Sequence, residues 1–257
     1  MTGNNGRGIV LQARDRQFLQ ELAVMRVVDR EQAKIVAGFG STTRANVRLL
    51  ALTRAGLLRR FFLGTGAGRK ALYALSAKGA QLVGVPMRGP RRQSDEVLVA
   101  DFFVQHQLTV NEIYCALKFG TLPPGVVFRR WLPFFAPLSA TARFIPDGYV
   151  ALDTPAGILA AFLEVDLGHE SLTIWNQKIR NYLDFAVSGN YEREFGQAKF
   201  RVLVVANSER RMHSIRGAAG KQTTKLFWFA NLPSLRVEGL FASVWRRAQP
   251  GDPQPLV

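Results

Sequence analysis

Residues 84–94 constrain the fold most, because they interrupt every helical and strand period in the chain. The segment contains Pro86, Gly89 and Pro90 within a few positions. Proline and glycine at this density end regular structure and favour a connector. The chain of 257 residues is long enough to build two cores. We therefore predict two domains, at residues 10–85 and 95–250, joined by a basic linker at residues 86–94.

The positive charge of the chain is concentrated in its first third, which includes most of this linker. Residues 1–92 contain 17 Lys and Arg against 4 Asp and Glu, a net charge of +13, whereas residues 93–257 contain 17 against 15, only +2. Clustered cations of this kind supply sequence-independent affinity for phosphates. Charge alone allows DNA, RNA or an acidic membrane surface as the partner.

Other sequence features favour a cytoplasmic protein without a membrane segment. No apolar stretch approaches the length of a bilayer span, and the polar first eight residues lack a signal-peptide core. The single cysteine, Cys115, excludes an intramolecular disulfide and any site built from several cysteines.

The first domain has the pattern of a helix-turn-helix followed by a hairpin. Apolar spacing predicts helices over residues 14–28 and 31–37, the second capped by Asp29. Ser41 is the expected cap of a third helix that turns Val47 and Leu50 towards the core. Strands are predicted over residues 57–63 and 71–75, around a glycine-rich, basic turn, and Ser76 is expected to cap a closing helix.

This pattern resembles winged helix-turn-helix domains, above all in the stretch RLLALTRAGLLRRF…GRKALYALSAKGAQLVG. The resemblance implies double-stranded DNA as the partner, with the third helix entering the major groove. A winged helix that binds protein, with merely solvated arginines, is the alternative. The residues implied to contact DNA are Thr42, Thr43, Arg44 and Arg48 on the helix, and Arg69 and Lys70 on the wing.

The second domain is predicted to be mixed α/β, in the order α-β-β-β-α-β with additions. Periodicity and turn residues give the first four elements at 95–118, 126–132, 142–152 and 158–165. The next two are a helix at 172–187 and a strand at 200–206. A helix capped by Asn207 or Ser208 and a last strand at 226–229 follow.

Three acids in this domain form a candidate metal site. Glu164 and Asp166 are two residues apart, so they share one face of a strand, and a hairpin can bring Asp147 beside them. Converging carboxylates repel one another, and a hard cation such as Mg²⁺ or Mn²⁺ relieves the repulsion. The alternative is a solvated strand face and a simple turn. Asn111 and Glu112 offer a further ligand from a helix, or lie on a wet helical face.

Pro146-Asp147 followed by Glu164-Val165-Asp166 resembles the PD-(D/E)xK nuclease superfamily, which has the same element order. That resemblance implies catalytic roles for Asp147, Glu164 and Asp166. Asp166 stands where the superfamily usually has lysine, so Lys178, one turn before Tyr182 on the next helix, is the candidate replacement. A degenerate nuclease domain in a non-enzymatic regulator or accessory factor is the alternative.

A closer resemblance is to the replication-relaxation family, which joins a winged helix to a nuclease-like domain. It rests on HQLTVNEIYCAL, FIPDGYV, FLEVDLGHES and KIRNY, and it spans roughly residues 10–206. The family implies DNA handling in the replication or mobilisation of plasmids and other mobile elements. Replication or mobilisation proteins are the implied protein partners. Whether such a chain nicks DNA with a metal, or only binds it, stays open at this point.

Overall fold

The computed structural model describes residues 9–64, 68–90, 97–98, 102–139, 142 and 144–257. Helices and sheets occur in both halves of the chain, which confirms the predicted mixed α/β class. The chain divides into two compact units, Met1–Cys115 and Ala116–Val257. In the described part of the chain, no helix combines the length and the apolar character needed to cross a membrane.

The first unit begins with three helices, and the caps of the second and third agree with the sequence. Asp29 accepts a hydrogen bond from the Gln32 amide at 2.8 Å, and Ser41 accepts one from the Arg44 amide at 3.3 Å. Such side-chain caps satisfy amides that a helix leaves unpaired at its start. The elements of this unit are α1 (Ala13–Met25), β1 (Val28–Asp29), α2 (Arg30–Ala37), α3 (Thr42–Arg54), β2 (Leu58–Leu63), β3 (Lys70–Leu75), α4 (Ala77–Val83), β4 (Val97–Leu98) and α5 (Phe102–Lys118).

The sheet of this unit has the strand order β1-β3-β2-β4. Strands β2 and β3 form an antiparallel hairpin in which Leu58 pairs with Leu75 and Leu63 with Lys70. Part of the predicted wing turn, residues 65–67, lies outside the described residues. Gly79 lets α4 approach the start of the hairpin, since an added Cβ would lie 2.1 Å from the Leu57 carbonyl oxygen.

The core face of α3 differs from the prediction. Ala45, Leu49 and Leu52 are buried, whereas Val47 is 65% exposed and Leu50 is half-buried. Residues 45, 49 and 52 recur at helical spacing on one side of the helix, and position 47 lies roughly 200° around the axis from position 45. The expectation that Val47 faces the core is therefore wrong.

The division between the units falls within α5, and the residues predicted as a linker lie before it. Helix α5 belongs mostly to the first unit because Val104 and Leu108 pack in one cluster with Phe61 and Leu72. Residues 91–94 of the predicted linker and residues 95, 96 and 99–101 of the predicted helix lie outside the described residues. Residues 97 and 98, also predicted as helix, form β4, which pairs in parallel with β2.

The second unit contains one six-stranded sheet. Strands β5, β6 and β7 form an antiparallel meander, and β7, β8 and β9 run parallel. The strand order is β10-β9-β8-β7-β6-β5. The elements are β5 (Val127–Leu132), β6 (Gly148–Thr154), β7 (Gly157–Asp166), α6 (Leu172–Val187), α7 (Asn190–Phe195), β8 (Arg201–Ala206), α8 (Glu209–Gly220), β9 (Phe227–Asn231), α9 (Leu232–Glu238) and β10 (Arg246–Arg247).

The main core of this unit lies between the sheet and helices α6 and α8. Phe162 of β7, Trp175 and Tyr182 of α6, and Ile215 of α8 are fully buried in it. Strand β6 begins at Gly148 rather than in the predicted region near residue 142, because Pro146 lacks the amide that a ladder requires. Asp147 is thereby placed at the entrance of β6.

Candidate functional site

The carboxyl end of β7 carries the acids that the sequence singles out. Glu164 and Asp166 point to the same side of the strand as Phe162, and each is only 1% exposed. Gly148 pairs with Leu163 across the hairpin, and the Val165 amide donates to Asp147 Oδ2 at 2.7 Å. The hairpin therefore brings Asp147 to this end of β7.

Glu164 is engaged by two groups from α6. Tyr182 donates its hydroxyl to Glu164 Oε1 at 2.6 Å, and Lys178 Nζ contacts Oε2 at 2.9 Å. Burial raises the pKa of Glu164 to about 7, with a further rise from the nearby Asp147, while Lys178 and Tyr182 oppose that rise. Glu164 is thus a buried carboxyl whose pKa lies above that of an exposed glutamate.

Lys178 is the cationic centre of this group. Its Nζ also contacts Glu170 Oε1 at 2.8 Å, so two carboxylates share the ammonium group. Burial alone would lower the pKa of Lys178, but Glu164, Glu170 and Asp147 raise it above its ordinary value. Lys178 therefore stays charged at neutral pH. It can orient a water molecule or neutralise phosphate charge, but it cannot serve as a general base there.

Asp166 has a different environment from Glu164. Arg211 binds it in a bidentate manner, with Nε at 2.9 Å from Oδ1 and Nη2 at 2.7 Å from Oδ2. The Gly168 amide donates to Oδ1 at 2.7 Å, and the indole of Trp175 donates to Oδ2 at 2.5 Å. Burial alone would raise the pKa of Asp166, but these donors hold it below its ordinary value.

The four donors occupy the lone-pair positions that a carboxylate offers. These contacts tie Asp166 into the fold, and its predicted role as a metal ligand would require at least one of the donors to leave. Among the described residues, no group of three or more His, Cys, Asp or Glu side chains is arranged to hold a metal ion. Asp147 and Glu164 are the two acids left from the predicted set. Two carboxylates suffice for a Mg²⁺ ion that also binds substrate phosphates.

Sequence reasoning missed Glu170 and Arg211 as members of this group. Glu170 precedes α6 in a loop, and one of its carboxylate oxygens, Oε2, is buried without a hydrogen-bond partner among the described residues. Arg211 lies 45 residues after Asp166, on α8. No spacing rule relates residues that far apart, so the ion pair has no local signal in the sequence.

Asn111 forms hydrogen bonds within the first unit. Its side-chain amide donates to the carbonyl oxygens of Met25 and Val27, at 3.0 and 2.6 Å. These carbonyls flank Arg26, which has a positive φ of 65°. The buried Asn111 therefore stabilises the turn after α1, which differs from the expected ligand or wet helical face.

The residues predicted to contact DNA differ in their exposure and in their partners. Thr43 and Arg44 are exposed on the first turn of α3, and Arg69 is exposed beside β3 with its guanidinium 4.6 Å from the Phe62 ring. Thr42 is half-buried and accepts a hydrogen bond from Lys34 at 3.2 Å.

Arg48 and Lys70 are held by acids of the same unit. Arg48 Nε donates to the buried Asp15 at 2.9 Å, and a second nitrogen donates to the Val10 carbonyl at 2.7 Å. Lys70 forms an ion pair with Asp29, while its side chain remains half exposed. Arg48 therefore supports the packing of α3 against α1. The exposed face of α3 carries Asn46, which sequence reasoning did not single out, and Val47, which it placed towards the core.

These features define a mixed α/β protein with an exposed, polar helix face in one unit and a buried carboxylate–lysine site in the other. The profile of the replication-relaxation family matches residues 15–199, which is most of the chain. The chain belongs to the replication-relaxation family, as the sequence motifs predict. No curated protein and no solved structure matches it.

Proposed function

We propose that this chain is a DNA-binding protein that acts in the replication or mobilisation of a plasmid or other mobile element. Its first unit is a winged helix that binds double-stranded DNA through α3, and its second unit carries a PD-(D/E)xK-like site. Family membership supports the general role. The observation that carries the DNA-binding part is the outer face of α3.

That face is accessible to a ligand from outside the unit. Thr43, Arg44, Asn46 and Val47 are exposed, while the opposite face packs into the core. A helix in the major groove uses arginine for guanine, asparagine for adenine and apolar groups for the thymine methyl. This set of side chains favours DNA over a purely solvated surface, and the charge of +13 on residues 1–92 acts in the same direction.

The test of DNA binding compares two arginines. Arg44→Ala removes a cation from the outer face of α3, and the matched control Arg16→Ala removes one from an exposed position on α1. We expect the first change to weaken duplex binding by on the order of tenfold and the second by less than about twofold. Arg48→Ala is unsuitable because it also removes the partner of the buried Asp15.

Fluorescence anisotropy with a labelled duplex, over a range of salt concentrations, measures both variants. Loss of a phosphate contact also lowers the slope of log affinity against log salt by about one. Equal affinities for wild type and Arg44→Ala would contradict the proposed role of α3. So would an equal loss in the two variants, because it would indicate a general effect of net charge.

In the second unit, we propose that Asp147, Glu164 and Lys178 act together on a DNA phosphate. Mg²⁺ or Mn²⁺, held by Asp147 and Glu164, would polarise the phosphate and activate water. Lys178 neutralises charge that develops on the phosphate. Its Nζ lies 2.9 Å from Glu164 Oε2, and this contact fixes the orientation of the carboxylate. Tyr182 holds the other oxygen of Glu164, so the acid presents one orientation.

A nicking assay on supercoiled DNA with Mg²⁺ or Mn²⁺ tests this site. We expect Lys178→Met to slow nicking by about 10² to 10⁴ while DNA affinity is retained. The matched control is Arg180→Ala, an exposed cation two residues further along α6, which should leave the rate nearly unchanged. Thermal melting of each variant excludes loss of fold as the cause.

Absence of nicking by the wild type with either metal would contradict the catalytic part of the proposal. DNA binding through α3 would be unaffected by that result. The protein would then be a non-enzymatic accessory factor in which the Glu164–Lys178 pair is structural.

A further inference from the structure

A cavity of about 840 Å³ opens in the second unit, at the end of the sheet where β8 and β9 begin. Leu159 and Ala160, near the amino end of β7, line it. Glu164 and Asp166 occupy the carboxyl end of the same strand. The cavity is therefore separate from the carboxylate–lysine site, and its volume is in the range of pockets that bind small ligands.

Among the described residues, this cavity is lined by three cationic side chains, from Lys199, Arg201 and Arg247, and by no acidic side chain. Lys199 is exposed and forms no salt bridge with a described residue. The guanidinium groups of the two arginines lie 4.1 and 4.7 Å from the ring centre of Trp228. The two guanidinium groups therefore lie against the same ring, and no acidic side chain among the described residues forms a salt bridge with either.

The hydrogen bonding of the arginines is also incomplete. Arg201 donates one nitrogen to the Leu256 carbonyl at 2.6 Å, but Arg247 Nε is buried without a hydrogen-bond partner in the described part of the chain. Burial and the charge of Arg247 lower the pKa of Arg201. A buried donor without an acceptor is costly, so an anion that reaches it gains a charge-assisted hydrogen bond.

We propose that this cavity binds a phosphorylated ligand of nucleotide size. Lys199, Arg201 and Arg247 hold the phosphate, because a cluster of guanidinium and ammonium groups matches its charge and its several acceptor oxygens. The organic part lies against the apolar wall. That wall includes Pro123, Pro124, Ile158 and Leu226.

The family relationship does not account for this site. The match ends at residue 199, and Arg201, Trp228 and Arg247 all lie beyond it. The proposal is also independent of DNA binding by α3 and of nicking. A free nucleotide and the phosphorylated end of a DNA strand both carry such a phosphate.

Isothermal titration calorimetry on the full chain tests the proposal with thymidine 5′-monophosphate and with a trithymidylate that carries or lacks a 5′ phosphate. The test variant is Arg247→Gln. Its matched control is Arg246→Gln, which removes the same charge from the same strand but from a residue that does not line the cavity. Lys199→Ala is a second test variant, and its exposed position leaves folding unaffected.

We expect the phosphorylated probe to bind the wild type, Arg247→Gln to weaken binding by about tenfold or more, and Arg246→Gln to change it by less than about twofold. Lys199→Ala should weaken binding by a smaller factor. Binding of the monophosphate identifies a free nucleotide as the source. Binding of only the 5′-phosphorylated trinucleotide identifies a strand end.

Two results would overturn the proposal. One is the absence of heat with every probe up to about 10 mM, well above the Kd of a weak specific site. The other is equal binding by the wild type, Arg247→Gln and Lys199→Ala, because the cavity would then not hold the phosphate.

Discussion

Replacement of Asp166 by alanine separates the two roles that this acid could have, metal ligand or ion-pair partner. The structure gives Asp166 four hydrogen bonds, two of them from Arg211, whose side chain is largely buried. Alanine removes all four acceptor contacts. It leaves an indole N–H and a backbone amide without a partner, and a largely buried guanidinium whose remaining acceptor is the Glu170 carbonyl.

The cost follows from these unpaired groups. Removal of one partner of a buried ion pair typically costs 3 to 5 kcal/mol, and we expect Asp166→Ala to fall in that range, at about 4 kcal/mol. The matched control is Asp153→Ala on β6. Asp153 pairs with Arg129 at 2.9 Å, but both side chains are about half exposed, so we expect a cost below about 1 kcal/mol.

Urea unfolding followed by tryptophan fluorescence measures both variants. A loss of about 4 kcal/mol lowers the urea midpoint by roughly 1.3 to 2 M for slopes of about 2 to 3 kcal/mol/M, whereas the control should shift it only slightly. The pH dependence gives a second check. Because the donors lower the pKa of Asp166 below 3.8, its contribution is present above pH 3.8 and is lost as the pH falls through the lowered pKa. The difference between wild type and variant should therefore shrink in acid.

A cost below about 1 kcal/mol for Asp166→Ala would refute this reasoning, because a buried pair with four hydrogen bonds cannot be that weak once one partner is removed. Loss of a Mg²⁺-dependent rise in melting temperature in a stable Asp166→Asn variant would also refute it. That result would support Asp166 as a metal ligand.

Three further predictions concern stability. Burial raises the pKa of Glu164 from 4.5 to about 7, so the folded wild type should lose stability relative to Glu164→Gln as the pH rises across that interval. We expect a loss on the order of 3 kcal/mol in urea unfolding. A stability difference that is independent of pH would contradict this. Asn111→Ala should cost about 1 to 3 kcal/mol in thermal melting because two carbonyl oxygens lose their donor, and the neighbouring Gln107→Ala should cost much less. Millimolar Mg²⁺ or Mn²⁺ should raise the melting temperature of the wild type but not that of the double variant Asp147→Ala, Glu164→Ala. A rise that persists in the double variant would count against a metal at these acids.

Features that depend on a few consecutive residues were predictable from the sequence. Asp29, Ser41 and Ser76 cap their helices as expected, because a cap joins a side chain to an amide three residues away. Glu164 and Asp166 share one face of β7 because side chains alternate along a strand. The family and the mixed α/β class also follow from short motifs and periodicity.

The partners of the charged side chains were decided by tertiary structure. Arg48 was expected on a DNA surface, but it binds Asp15, 33 residues earlier, and Asp166 was expected at a metal, but it binds Arg211, 45 residues later. In both cases, packing of one helix against another element brings a cation to a buried acid. A sequence shows that such an acid requires compensation, because an isolated buried charge is unfavourable. Which group compensates it depends on the packing of distant elements, and only the folded chain fixes that choice.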